Sequence, residues 1–259
     1  MGKLPLLTVL LKRYPGLGEK ELSSAVMRGR VTVDGRERLK PGEKVSPEAD
    51  IRLKDDPRFA SRGGEKLDFA LETWRHPVEG RRFIDAGSST GGFTDCLLRR
   101  GAAGVYAVDV GYNQLDYGLR RDVRVTVMER TNVMGLEAGD FPLRPDEAVG
   151  DLSFRSLRKA ARHILGLTSE GSGIFLAKPQ FEEQDPAPGF DGVVRDAGRL
   201  RIILEELFRD LAAEGVHVRK AVASPLRGRR GNREFLLLLS LKEEQQSSFG
   251  ELASALVRE

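Results

Sequence analysis

Apolar positions recur at helical spacing twice near the start of the chain, over residues 4–13 and 19–27, with the turn signal Pro15-Gly16-Leu17-Gly18 between them. The pattern then becomes an alternation over residues 29–35, where Val31 and Val33 flank Thr32 and Asp34-Gly35 predicts a hairpin turn. Lys40-Pro41-Gly42-Glu43 predicts a second turn, and residues 49–53 a second short strand. Two helices on a small hairpin make a first module, residues 1–60.

The period changes from residue 81. Arg82-Phe83-Ile84-Asp85-Ala86-Gly87 reads as a strand ending in a glycine turn, followed by a helix to Arg100. Strands are predicted at 104–110, 123–128, 148–152, 173–177, 216–222 and 234–241, and helices at 113–120, 157–165 and 199–213. Strands alternating with helices predict an α/β fold with a mostly parallel, doubly wound sheet over residues 61–244. Residues 242–259 begin polar and turn mildly amphipathic, which predicts a peripheral tail, with 245–259 outside the second domain.

Charge refines this division. The chain has 259 residues, with 42 Lys and Arg against 39 Asp and Glu, a net charge of +3. Residues 1–60 hold 13 basic and 9 acidic residues, a net of +4; the remainder holds 29 and 30, a net of −1. The positive excess lies in the first module, where a nucleic-acid contact can use it. The one cysteine, Cys96, excludes a disulfide framework and a multi-thiolate zinc site, and no metal is expected. No apolar run reaches about 18 residues, and the N-terminus lacks the features of a secretory signal. A soluble cytoplasmic protein without membrane insertion is the expectation.

In a doubly wound sheet, ligands bind at the carboxyl ends of the strands near the switch point. Asp85-Ala86-Gly87-Ser88-Ser89-Thr90-Gly91-Gly92-Phe93 falls there. Gly87 and Gly91 allow tight turns, and Asp109, 22 residues after Gly87, ends the next strand where a ribose hydroxyl needs an acceptor. The turn lacks a strict G-x-G-x-x-G, and Asp85 stands just before it. A carboxylate in that place suits the ammonium group of S-adenosylmethionine and repels a dinucleotide pyrophosphate, which favours a methyl donor over NAD.

Four ionisable residues stand at strand or domain ends: Lys66 at the module junction, Asp151 and Lys178 at the ends of successive strands, and Glu234 at the start of the last strand. Each alone is compatible with a solvated strand end or a helix cap. Together, two lysines flanked by two carboxylates can prepare a general base for a ribose hydroxyl, which needs one to become a nucleophile.

These stretches together resemble the TlyA family of haemolysin-like rRNA 2′-O-methyltransferases. The resemblance rests on residues 61–67, 85–97 and 106–112, on Met128-Glu129-Arg130-Thr131-Asn132, on Lys178-Pro179-Gln180-Phe181, on Gly192-Val193-Val194-Arg195-Asp196 and on Gly231-Asn232-Arg233-Glu234-Phe235. It implies an RNA-binding domain of the ribosomal protein S-four type joined to an FtsJ-like Rossmann methyltransferase. It implies a catalytic tetrad at Lys66, Asp151, Lys178 and Glu234, with Lys178 as the base. It implies a donor site at Asp85, Gly87, Ser89, Thr90, Asp109, Thr131 and Asn132, and ribosomal RNA or ribosomal subunits as partner, at a cytidine ribose. The RNA-facing parts depart from the family pattern: Leu4-Pro5-Leu6-Leu7 replaces an Arg-Leu-Asp stretch, Gly18-Glu19-Lys20 stands where a Ser-Arg pair precedes the second helix, and Pro188-Gly189-Phe190-Asp191 lacks a glycine-lysine step. The rival readings are a pore-forming haemolysin, a non-catalytic RNA-binding protein that keeps the fold, and an NAD-dependent oxidoreductase.

Overall fold

Two units are built from the chain, Met1–Pro57 and Arg58–Glu259, and a computed structural model describes residues 2–27, 29–36, 39–54, 58–152, 156–243 and 249–258. The first unit comprises β1 (Leu4–Pro5), α1 (Leu6–Arg13), α2 (Glu19–Met27), β2 (Val31–Val33), β3 (Lys44–Val45) and β4 (Ile51–Leu53). Helix α1 starts two residues later than its apolar spacing predicts, because Leu4 and Pro5 pair instead with Val45 and Lys44. Asp34 and Gly35 form the expected turn at positive φ, 49° and 76°. Across that turn Val33 and Arg36 form a bridge. The ladder partner of β2 is β4, so the hairpin is longer than the turn alone suggests. Leu6, Leu10, Leu22, Val26, Val31 and Val33 are buried in a separate small core.

The second unit contains α3 (Arg62–Trp74), β5 (Arg82–Ala86), α4 (Gly92–Arg99), β6 (Gly104–Val108), α5 (Tyr117–Arg120), β7 (Val125–Met128), β8 (Glu147–Gly150), α6 (Leu157–Gly166), β9 (Ser172–Ala177), α7 (Pro179–Glu182), α8 (Ala197–Ala213), β10 (His217–Ala223), β11 (Phe235–Ser240) and α9 (Phe249–Arg258). Its sheet runs β10-β11-β9-β8-β5-β6-β7. Neighbours from β7 to β9 pair in parallel, whereas β11 is antiparallel to both β9 and β10. Both faces are covered. Phe83, Val105, Ala107 and Ile174 face a core shared with α3 and α4, while Ile84, Tyr106, Phe175 and Phe235 face one shared with α6, α8 and α9. Burial on both sides explains the unbroken apolar run Phe235-Leu236-Leu237-Leu238-Leu239.

Three elements differ from the sequence reading. The junction after residue 61 is the head of a 13-residue helix, α3, whose N-cap Ser61 accepts from the Gly63 N–H. Of the helix expected over 113–120, only α5 forms. The stretch expected to be a peripheral tail includes α9, whose Ala253 and Leu256 are buried and whose Phe249 ring lies 6.4 Å from that of Phe208. Residues 245–248, at the start of that stretch, and Ser153-Phe154, which follow Asp151, lie outside the described residues.

Candidate active site

Strand β5 pairs with β6 on one side and β8 on the other, which makes its carboxyl end the switch point of the sheet. Gly87 follows β5 at φ 82°, and a Cβ there would meet the Asp151 carbonyl oxygen at 2.9 Å. Only glycine supplies that backbone and that clearance together. The turn after β5 and the segment after β8 are therefore in contact, and the Asp151 N–H donates to the Ala86 carbonyl at 3.2 Å.

Asp85 is 1% exposed. Its Oδ2 accepts from the Thr94 N–H at 3.0 Å and from the Thr94 hydroxyl at 2.6 Å, in the first turn of α4. Its Oδ1 is buried and has no hydrogen-bond partner. Burial pushes the carboxyl up to about 7, against the two Thr94 bonds, and the charges of Asp151 and Asp109 add to the rise. An orphaned buried acceptor with an unfavourable charge is what a ligand ammonium group would satisfy. The site thus fits the methionyl end of S-adenosylmethionine.

Asp109 follows β6 and is half-buried. Its Oδ2 accepts from the Ser89 N–H at 2.8 Å and its Oδ1 from the Gly111 N–H at 2.6 Å. Both oxygens keep a lone pair for a ribose hydroxyl. Ser89 is left-handed, φ 48°, and exposed, and its hydroxyl donates to Gln114 Oε1 at 3.3 Å. Thr90 is exposed beside it, and its carbonyl accepts from the Asp116 N–H. Thr131 joins the group through its N–H, which donates to the Asp109 carbonyl at 2.9 Å. The Asn132 side chain is engaged locally, where Oδ1 accepts from the Met134 N–H at 3.1 Å and caps a short turn.

The four ionisable residues form two ion pairs. Lys66 of α3 pairs with Glu234, both buried, and Lys178 pairs with Asp151, both half-buried. Lys178 Nζ also donates to the Leu152 carbonyl at 3.3 Å and lies 5.8 Å from the Phe181 ring centroid. Phe235 faces Ala177 across the antiparallel ladder, so Glu234 and Lys178 occupy the next opposed positions. Gly228 makes room for Glu234, since a Cβ there would lie 2.1 Å from Glu234 Oε1.

Two further residues belong here that sequence reasoning did not single out. Thr94 holds Asp85, a role visible only once the first turn of α4 is set against β5. Glu129, at the end of β7, accepts from Arg120 at 2.5 Å and from the Gln114 N–H at 3.2 Å. The Arg120 bond is the main reason that its carboxyl is held down at about 2. Its only sequence signal is its place in the Met128–Asn132 stretch.

Parallel strands with one reversed strand inserted beside the edge, and carboxylates at the first two strand ends around a glycine turn, define a Rossmann-like methyltransferase. The comparisons with known proteins carry this further. Residues 59–241 match the family model of FtsJ-like methyltransferases, and the chain belongs to that family. It is 40% identical over 253 residues to the 16S/23S rRNA (cytidine-2′-O)-methyltransferase TlyA of Mycobacterium tuberculosis, which spans 96% of this chain and 94% of that relative. It is 36% identical over 213 residues to Hemolysin A of Brachyspira hyodysenteriae, covering 82% of this chain and 89% of the relative. A solved structure from Streptococcus thermophilus, described as a hemolysin, superposes with a TM-score of 0.72 at 34% identity over 100% of this chain and 97% of that one. Family membership decides the ligand question for a methyl donor over NAD. Among the described residues no helix is long and apolar enough to cross a membrane.

Proposed function

We propose that this chain transfers a methyl group from S-adenosylmethionine to the ribose 2′-hydroxyl of a cytidine in ribosomal RNA, in the cytoplasm, and that Met1–Pro57 is an RNA-binding unit of the ribosomal protein S-four type. The observation that carries the reading is two lysine–carboxylate pairs, related by the opposition of Glu234 and Lys178 across the β9–β11 ladder, at the carboxyl end of β9 beside the turn where Gly87 contacts Asp151. The resemblance of the whole chain to a named rRNA cytidine-2′-O-methyltransferase supports the substrate.

S-adenosylmethionine, when bound, supplies a sulfonium methyl that an oxygen nucleophile can take. Asp85, through Oδ1, would hold its ammonium and Asp109 its ribose hydroxyls, while Gly87, Ser89, Thr90, Thr131 and Asn132 would line the rest of the donor site. Lys178, as the neutral amine after its ammonium has released a proton, takes the proton of the 2′-hydroxyl as that oxygen attacks. Asp151 and the Leu152 carbonyl hold its Nζ in place. Lys66 neutralises Glu234, which would otherwise offer Lys178 a second carboxylate across the ladder. General-base assistance of this kind is worth about 10²–10⁴ in rate, and alignment with the methyl group supplies much of the remainder.

Lys178→Ala is expected to lower methyl transfer to unmodified ribosomal subunits by at least about 10²-fold, with donor affinity nearly unchanged. Full activity in that variant removes the base assignment. Mapping the labelled nucleotide tests the acceptor, and a methyl group found on a base rather than a ribose overturns the reading.

A further inference from the structure

Glu234 closes a short loop that begins after β10, and that loop is fastened to a second one. Asn232 is 3% exposed, and its amide is used at both ends. Nδ2 donates to the Gly192 carbonyl at 2.9 Å, and Oδ1 accepts from the Val194 N–H at 3.0 Å. Arg230 adds a bond to the Asp191 carbonyl at 3.1 Å. Within the loop, the Gly228 N–H donates to the Asn232 carbonyl at 3.0 Å. On its other flank, Arg233 donates to the Leu256 and Val257 carbonyls in the last turn of α9, both at 2.8 Å. The second loop, residues 189–196, lies in the chain between Lys178 and α8. It carries the exposed Phe190 and an Asp191–Arg195 pair at 2.7 Å.

We propose that Asn232 is a positioning residue for methyl transfer. By locking loop 189–196 to loop 228–234 it holds Glu234 against Lys66, so that an RNA strand lying on the exposed loop acts on the tetrad through one buried amide. This inference rests on the tetrad reading given above. An amide is required because the two partners are a carbonyl and an N–H; aspartate has no donor, alanine offers neither group, and glutamine carries its amide one methylene further out.

The test is steady-state methylation of ribosomal subunits by full-length variants, with donor affinity measured in parallel. Asn232→Asp has the same size and keeps the Val194 contact, but sets a carboxylate against the Gly192 carbonyl. It and Asn232→Ala are expected to lower kcat about ten- to a hundredfold, with KM for the subunit rising less and donor Kd within about twofold of the unaltered protein. A role confined to packing would tolerate the isosteric aspartate, and wild-type kcat in Asn232→Asp overturns the proposal. Should both variants fail to fold, Arg230→Ala tests the same tether from an exposed position. Its kcat is expected to fall about two- to fivefold at unchanged KM. A rise in KM alone would make Arg230 an RNA contact and overturn the tether. Lys178→Ala run alongside separates the two readings: if it is inactive while the Asn232 variants are fully active, the positioning role fails and the tetrad stands; if it is active, the tetrad itself fails.

Discussion

Asp85 pays for its place in the fold with a proton. In the unfolded chain its carboxyl has the ordinary value of 3.8, and in the folded protein burial brings it to about 7. Between those values the folded state holds a proton that the unfolded state has released, so Asp85 lowers stability progressively as pH rises from about 4 to about 7. Asp85→Asn is expected to remove that decline, and at pH 7.5 to raise the unfolding free energy by an amount on the order of a few kcal/mol, read from urea titrations at pH 5 and 7.5. The same variant is expected to bind the methyl donor at least about tenfold more weakly at pH 8, because the ammonium loses its charged partner. In the unaltered protein, donor affinity is expected to strengthen as pH rises through about 7. The role proposed for Asp85 was legible in the sequence, since a carboxylate directly before a glycine turn is a short-range signal. Its buried, orphaned Oδ1 was not, because that depends on α4 packing over β5.

At the scale of elements, the packing of α3 on α4 is the feature to which the sequence reading assigned no element. The spacing Leu67, Ala70, Leu71, Trp74 is helical, but Gly63-Gly64 at the head of α3 makes the segment look like a linker. The reason for Gly64 is tertiary. A Cβ there would lie 2.4 Å from Phe59 and 2.8 Å from the Gly92 carbonyl, and Gly92 in turn has the Ser61 hydroxyl oxygen 2.2 Å from its own missing Cβ. In an exposed helix, glycine to alanine stabilises by about 1 kcal/mol. Here Gly64→Ala is expected to destabilise by about 1–3 kcal/mol in a denaturant titration, because backbone rather than a flexible side chain must move. Helix α9 was read as a peripheral tail for a related reason. Its apolar face is visible in the sequence, but its burial depends on packing against Phe208 of α8. The strands were easier to read, since two-sided burial writes them as continuous apolar runs. The reversed direction of β11 left no trace in its composition, yet it is what sets Glu234 opposite Lys178. Of the four tetrad members, the strand-end positions of Asp151 and Lys178 were legible from the pattern, whereas the Lys66–Glu234 pair spans 168 residues and became visible only through the resemblance and the fold.

For the whole molecule, the boundary after Pro57 redistributes the charge. The first unit carries 12 Lys and Arg against 9 Asp and Glu, a net of +3, and the second carries 30 of each. Removing residues 1–57 is expected to weaken binding to ribosomal RNA and to flatten the slope of log affinity against log salt, because each lost phosphate contact removes about one counterion from the release. An unchanged slope in filter-binding titrations would place the phosphate contacts on the methyltransferase unit. The first unit has its own core and is complete within 57 residues. The proposed tetrad, by contrast, waits for β11, because Glu234 is supplied only as that strand begins. In a chain made from its N-terminus, domains fold in the order they emerge, so the proposed RNA-binding unit is complete before catalytic competence by most of the time of synthesis. A product cut short before residue 234 would keep the proposed binding unit and have no Glu234, and would therefore compete with the finished enzyme for its substrate.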